Sequence, residues 1–108
     1  MTLITYEDFA KLDMRVAKVI EVEKIPGKSK IVKGVIDLGD EKRSVIIGGA
    51  EYYQPEELVG RTVVTLVNLE PRKIGGIESG AMLLAADLND KPFWLGVSED
   101  VPLGTKIK

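Results

Sequence analysis

Short apolar runs, each closed by glycine, proline or a polar cluster, constrain this chain more than any other feature. The run "RVAKVIEVE" after Met14 is rich in β-branched residues, and its period places Val16, Ile20 and Val22 on one face. "IVKGVIDL" alternates, with Val32, Ile36 and Leu38 on one side and Lys33 and Asp37 on the other. "GDEK" turns the chain into "RSVIIGG". "AEYYQPEELVG" then breaks the pattern, and Pro55 can open a helical turn. "TVVTLVNL" is apolar on both faces, as expected of a strand buried in a small barrel. "GAMLLAADL", a turn at "NDKP", "FWLGV" and the turn-plus-strand tail "SEDVPLGTKIK" complete the series. One helix signal stands apart: Thr5 and Asp8 have the spacing of a capping box, and the turns after them offer Phe9 and Leu12 to a core.

Short strands with Gly- and Pro-marked turns predict an all-β sandwich or barrel. A small helix between strands fits a five-stranded Greek-key barrel of the oligonucleotide-binding type. Such a barrel would use the chain to about residue 87. The rest forms a C-terminal extension holding Phe93, Trp94, Leu95 and Val97, more apolar surface than so small a core absorbs. The 108 residues are read as one domain, 1–108.

Composition narrows the chemistry. With neither cysteine nor histidine, the chain has no disulfide, thiolate nucleophile, zinc-type ligand set or imidazole-based triad. The 17 acids are scattered through turn-like segments, so no catalytic residue, metal ligand or cofactor is assigned. No apolar run is long enough for a membrane helix, and the acidic start "MTLITYEDFAKLD" is unlike a signal peptide, which makes the cytoplasm the expected compartment.

Net charge is −2, yet cations are gathered. "KIPGKSKIVK" holds Lys24, Lys28, Lys30 and Lys33 with no acid among them, whereas residues 34–60 carry six acids. "NLEPRKIGGIESGAM" sets Arg72 and Lys73 before Gly75, Gly76, Ser79, Gly80 and Met82. The glycines suggest positive φ in a wide turn. An acidic chain is poorly suited to coating nucleic acid without regard to sequence, but a bounded basic patch can face one folded polyanion. Charge alone equally allows a solvated loop.

"FAKLDMRVAKVIEVE", "SKIVKGVIDLGD", "VGRTVVTLVNLEPRKIGGIESGAMLLAA" and "VPLGTKI" resemble the structure-specific tRNA-binding domains. These occur as free-standing proteins, as the C-terminal domain or beta subunit of methionyl-tRNA synthetases, and in a bacterial secretion chaperone. The resemblance runs from Phe9 to Ile107. It implies an oligonucleotide-binding barrel that dimerises through its C-terminal extension and binds tRNA by shape without catalysis. Carried over position by position, it implicates Asn68, Arg72, Lys73, Ser79, Met82 and Lys30, although Ser79 equally suits a turn that caps its own backbone and Met82 a core position. Lys30 and Lys33 lie where the binding face of such a barrel receives phosphates, Lys33 being also the polar side of an alternating strand. Arg15 either faces RNA or pairs with Asp13. Phe93, Trp94 and Leu95 are the expected dimer interface, while Tyr52 and Tyr53 are expected to pack on the barrel. The chain departs from the family at Ile25 and Ser29, where relatives often carry His and Asp. The partners implied are tRNA, a second copy and a methionyl-tRNA synthetase catalytic chain. A peptide-binding chaperone or a purely structural dimerisation domain are the alternatives.

Overall fold

The computed structural model describes residues 1–108. Helix α1 (Tyr6–Ala10) leads into β1 (Met14–Lys24), β2 (Ile31–Asp37) and β3 (Lys42–Gly48). Helix α2 (Pro55–Leu58), β4 (Thr62–Leu66), β5 (Arg72–Ile74), β6 (Ile77–Ser79) and β7 (Met82–Leu83) follow, and β8 (Ala85–Leu88), β9 (Lys91–Trp94) and β10 (Lys106–Ile107) end the chain. The all-β expectation holds. Strands β3-β2-β1-β4-β7 form one antiparallel, nearly closed sheet, and β6 and β7 approach β3 to close the ring.

Alternation builds the interior as the sequence predicts for β2. Val32, Ile36 and Leu38 are buried, and Val45 and Ile47 of β3 meet them. Val63 and Val67 close the core from the β4 side, and Leu58 of α2 caps one end. In β1 the expected face is wrong. The register with β2 shifts between Val19 and Glu21, so a bulge at Ile20 reverses the phase. Ala17, Val19 and Val22 therefore face the core, and Ile20 is left half-exposed.

Val16 is also fully buried, but outside that cluster. It lies opposite Val64, on the outer side of the β1–β4 pair. The C-terminal extension covers this region. Strand β10 pairs with Met14 and Arg15, and the Val16 N–H donates to Thr105 O while Val16 O accepts from the Gly104 N–H. Gly104 has φ +87, and a Cβ there would collide with the Leu38 carbonyl, so the turn needs glycine. On the β7 side of β4, just beyond its pairing with β7, the Val64 N–H donates to Leu95 O and Val64 O accepts from the Leu84 N–H. The extension thus satisfies backbone groups that the barrel leaves open.

The β8–β9 hairpin turns at Asn89 and Asp90, both at positive φ, and carries Trp94 back to the barrel. Trp94 is half-buried against the core cluster and 6.3 Å from the Tyr53 ring, whose hydroxyl donates to Pro92 O. Tyr53 packs on the barrel as expected; Tyr52 is exposed beside Lys91. Helix α1 also differs from expectation. The Asp8 N–H donates to Thr5 Oγ1, but the helix has five residues and buries none of them. Phe9 is half-buried and Leu12 is exposed, because so short a helix presents no continuous apolar face to a core already filled from the strands.

Candidate nucleic-acid interface

The glycine-rich segment is a β-hairpin rather than a wide turn. Arg72 lies opposite Ser79, Lys73 opposite Glu78 and Ile74 opposite Ile77. Gly75 at φ +58 and Gly76 at φ +81 make the two-residue connection, the tight hairpin turn that needs positive φ at both positions. Gly80 is not at positive φ. Its N–H donates to Ser44 O, and its carbonyl accepts from Arg43 Nη1 at 3.0 Å.

Two side chains moor this hairpin to β3. The Ser79 hydroxyl accepts from the Ile46 N–H at 3.0 Å and donates to Ala81 O at 3.0 Å. Arg43 Nη1 bonds both the Val67 and Gly80 carbonyls, while Nε and Nη2 hold Glu41. Sequence reading missed Arg43. The available signal was its parity, since it shares the inward-facing phase of Val45 and Ile47.

Alternation sends Arg72 and Ile74 to one face of the hairpin and Lys73 to the other. Arg72 and Lys73 are both exposed, and neither has a carboxylate within ion-pair distance. The Arg72 face borders a cleft of about 300 Å³. Ile31, Ile46, Ile74 and Met82 provide its apolar walls, and Glu70 and Arg72 stand among its polar groups. Met82 is 41% exposed, on this surface rather than in the core. The Lys28 side chain reaches the hairpin tip, with Cε 3.8 Å from where a Gly75 Cβ would stand. Lys30 is exposed at the start of β2. Lys33 is different: its Nζ is 3.7 Å from Glu23, across the β1–β2 ladder.

The matching family model, described as "Putative tRNA binding domain", spans residues 14–106. The chain belongs to this tRNA-binding domain family. Methionine–tRNA ligase of Thermotoga maritima is 49% identical over 104 residues, and that of Methanocella arvoryzae is 50% identical over 106. These alignments cover 96% and 97% of the chain but only 16% and 15% of the ligases, so the chain spans about a sixth of those relatives' length. Among solved structures, a MetRS related protein from Pyrococcus horikoshii superposes with TM-score 0.93 at 38% identity over the whole of both chains. The chaperone CsaA from Bacillus anthracis superposes with TM-score 0.89 at 28% identity, covering 99% of this chain and all of that one.

In this tRNA-binding domain the remaining family-matched positions have protein partners of their own. Asn68 Oδ1 accepts from the Asp13 N–H at 2.9 Å, and Nδ2 donates to Lys11 O at 2.6 Å, tying the segment after α1 to the end of β4. Arg15 donates to both carboxylate oxygens of Asp13, at 3.0 and 3.1 Å. That fork holds the Asp13 carboxyl below its ordinary value of 3.8, with partial burial opposing and the guanidinium charge assisting. Arg15 is raised by the same hydrogen bond and charge. Phe93 and Leu95 are exposed on either side of half-buried Trp94. No group of three or more acids is gathered that could hold a metal ion, and no helix is long and apolar enough to cross a membrane.

Proposed function

We propose that the chain is a non-catalytic, structure-specific tRNA-binding module, acting as a cytoplasmic homodimer in trans to a methionyl-tRNA synthetase catalytic chain. The observation that carries this reading is the hairpin. Arg72 and Lys73 project from it with no acid within ion-pair distance, and Lys28 closes on its tip beside an open cleft. The strand order, with β1 central and β7 returning toward β3, supports the oligonucleotide-binding type of barrel. Arg72 forks onto phosphate oxygens, while Lys28, Lys30 and Lys73 act as point charges around it. Asn68 and Ser79 shape the surface from within it, Met82 offers an apolar contact, and Lys33, paired with Glu23, contributes least.

The dimer would bury Phe93 and Leu95, which flank the Trp94 anchor. Tethering tRNA near a catalytic chain raises its effective concentration without new chemistry. The relation to methionine–tRNA ligases supports that partner.

The test is binding of the purified chain to unfractionated tRNA and to unstructured RNA across a salt series. tRNA should bind more tightly, with a log–log slope of about −0.7 to −0.9 per phosphate contacted. Equal affinity for both RNAs would refute structure specificity. Failure to bind either, with capture of unfolded peptides instead, would establish the chaperone reading, which the apolar cleft walls and the likeness to CsaA support. A dimer that binds neither would be a structural dimerisation domain.

A further inference from the structure

The cleft beside Arg72 is shaped for one thing that phosphate binding does not use. Its walls are aliphatic, formed by Ile31, Ile46, Ile74 and Met82, and no aromatic ring lines it. A volume of about 300 Å³ lies at the lower end of small-ligand pockets. That is room for a single flat group, not for a helix. An added peptide strand is also disfavoured. The outer edge of β3 is already engaged, because the Ile46 N–H donates to Ser79 Oγ and Ser44 O accepts from the Gly80 N–H. The polar groups complete the description. Arg72 is a cation suited to a phosphate, but Glu70 is a carboxylate on the same cleft, where it would repel one. A carboxylate is favourable there if it receives N–H donors.

A nucleotide has all three complementary parts: an apolar flat face, an edge bearing N–H donors and an anionic phosphate. We infer that the cleft takes one unstacked nucleobase of the bound RNA, preferably guanine, with its faces between the aliphatic walls. Its N1–H and N2–H donate to Glu70, and its phosphate meets Arg72. Guanine is favoured because it offers two adjacent donors to two carboxylate oxygens, whereas uracil offers one. Folded RNA presents such bases in loops and turns, where unstacking is least costly. This inference rests on the tRNA-binding reading and adds a base-reading element to a surface otherwise suited to shape.

The test is methyl NMR on the full chain labelled at isoleucine δ1 and methionine ε methyls. A base stacked on a methyl group moves its resonance upfield through the ring current; a bound phosphate does not. Added unfractionated tRNA should move the Ile46, Ile74 and Met82 methyls upfield and leave those of core Ile36 and Ile47 in place. Guanosine monophosphate should produce the same shifts at about fivefold to a hundredfold lower concentration than uridine monophosphate. Glu70→Gln should abolish that preference, and ribose 5-phosphate should give no upfield shift. If tRNA binds but the cleft methyls stay put, base insertion is refuted and the tRNA reading stands. If tRNA does not bind, both fall. Equal response to the two nucleotides would refute the guanine preference.

Discussion

On the outer face of β1 and β2, Lys33 lies 3.7 Å from Glu23, with Glu21 on the same strand; on the β5–β6 hairpin, Arg72 and Lys73 have no ion-pair partner. Both regions carry cations, and both are reachable by solvent. The difference is local neutralisation. An exposed ion pair contributes only about 0–1 kcal/mol to stability, yet it cancels the field an incoming polyanion would feel. In an acidic chain, the attractive surface is set less by where lysines are dense than by where no acid closes to ion-pair distance. The hairpin also differs in its support. It is held by side chains, Ser79 and Arg43, rather than by a long ladder.

The largest effect should come from removing that support. Arg43 bonds the Val67 and Gly80 carbonyls and has Glu41 behind it. Arg43→Ala should destabilise the fold by about 2–3 kcal/mol, since it removes charge-assisted bonds and leaves part-buried acceptors. Urea unfolding would measure this. Arg43→Lys should recover little, because an ammonium lacks the fork that spans both carbonyls and the carboxylate. Full stability in Arg43→Ala would show that Ser79 and the Gly80–Ser44 backbone bond suffice to moor the hairpin.

A smaller effect sharpens the contrast itself. Arg72→Ala should weaken tRNA binding about tenfold, roughly 1.4 kcal/mol, and make the salt dependence shallower by about one contact, with unfolding unchanged. Lys33→Ala should change affinity by less than about twofold, as expected of a charge already answered by Glu23. Glu23→Gln should instead strengthen binding slightly by releasing Lys33. Equal losses at Arg72 and Lys33 would mean that the field is diffuse and the distinction between the two faces is empty.

What the sequence made legible follows from the range of each interaction. Strand alternation is local, so the buried side of β2 could be read directly, and so could Pro55 at the start of α2. The phase of β1 could not, because the bulge at Ile20 exists only in the register with β2. The Gly75–Gly76 pair identified a turn, but its tight hairpin form depends on Arg72 lying opposite Ser79. The family resemblance identified Asn68 and Ser79, yet apart from the local Ser79–Ala81 bond their hydrogen bonds run to Lys11, Asp13 and Ile46, far away in sequence. Arg43 was overlooked because the partners through which it moors the hairpin, Val67 and Gly80, are carbonyls, which carry no side-chain signature. The extension looked like surplus apolar surface. Its backbone contacts to Val16 and Val64 show that Gly104, Thr105 and Leu95 also complete the barrel's edges.

The smallest effect concerns a third cation, Arg15, which the resemblance left between two roles. Its guanidinium is committed to both oxygens of Asp13. Arg15→Gln should therefore leave tRNA affinity and its salt slope nearly unchanged, unlike Arg72→Ala. The pair should appear instead in the acid response. Asp13 has its carboxyl lowered below 3.8 in the folded chain, chiefly by the Arg15 hydrogen bond. A group with a depressed folded value stabilises the fold above its unfolded value, and that contribution is lost as pH falls through the folded value. Thermal midpoints of the natural chain and of Asp13→Asn should thus differ by a constant margin near neutrality. The margin should close as pH drops below 3.8. Arg15 stays charged throughout, so it does not alter the sign. A margin that persists at the lowest pH would refute ionisation of Asp13 as its source, because the backbone contacts of residue 13 with Asn68 and Val67 are common to both chains.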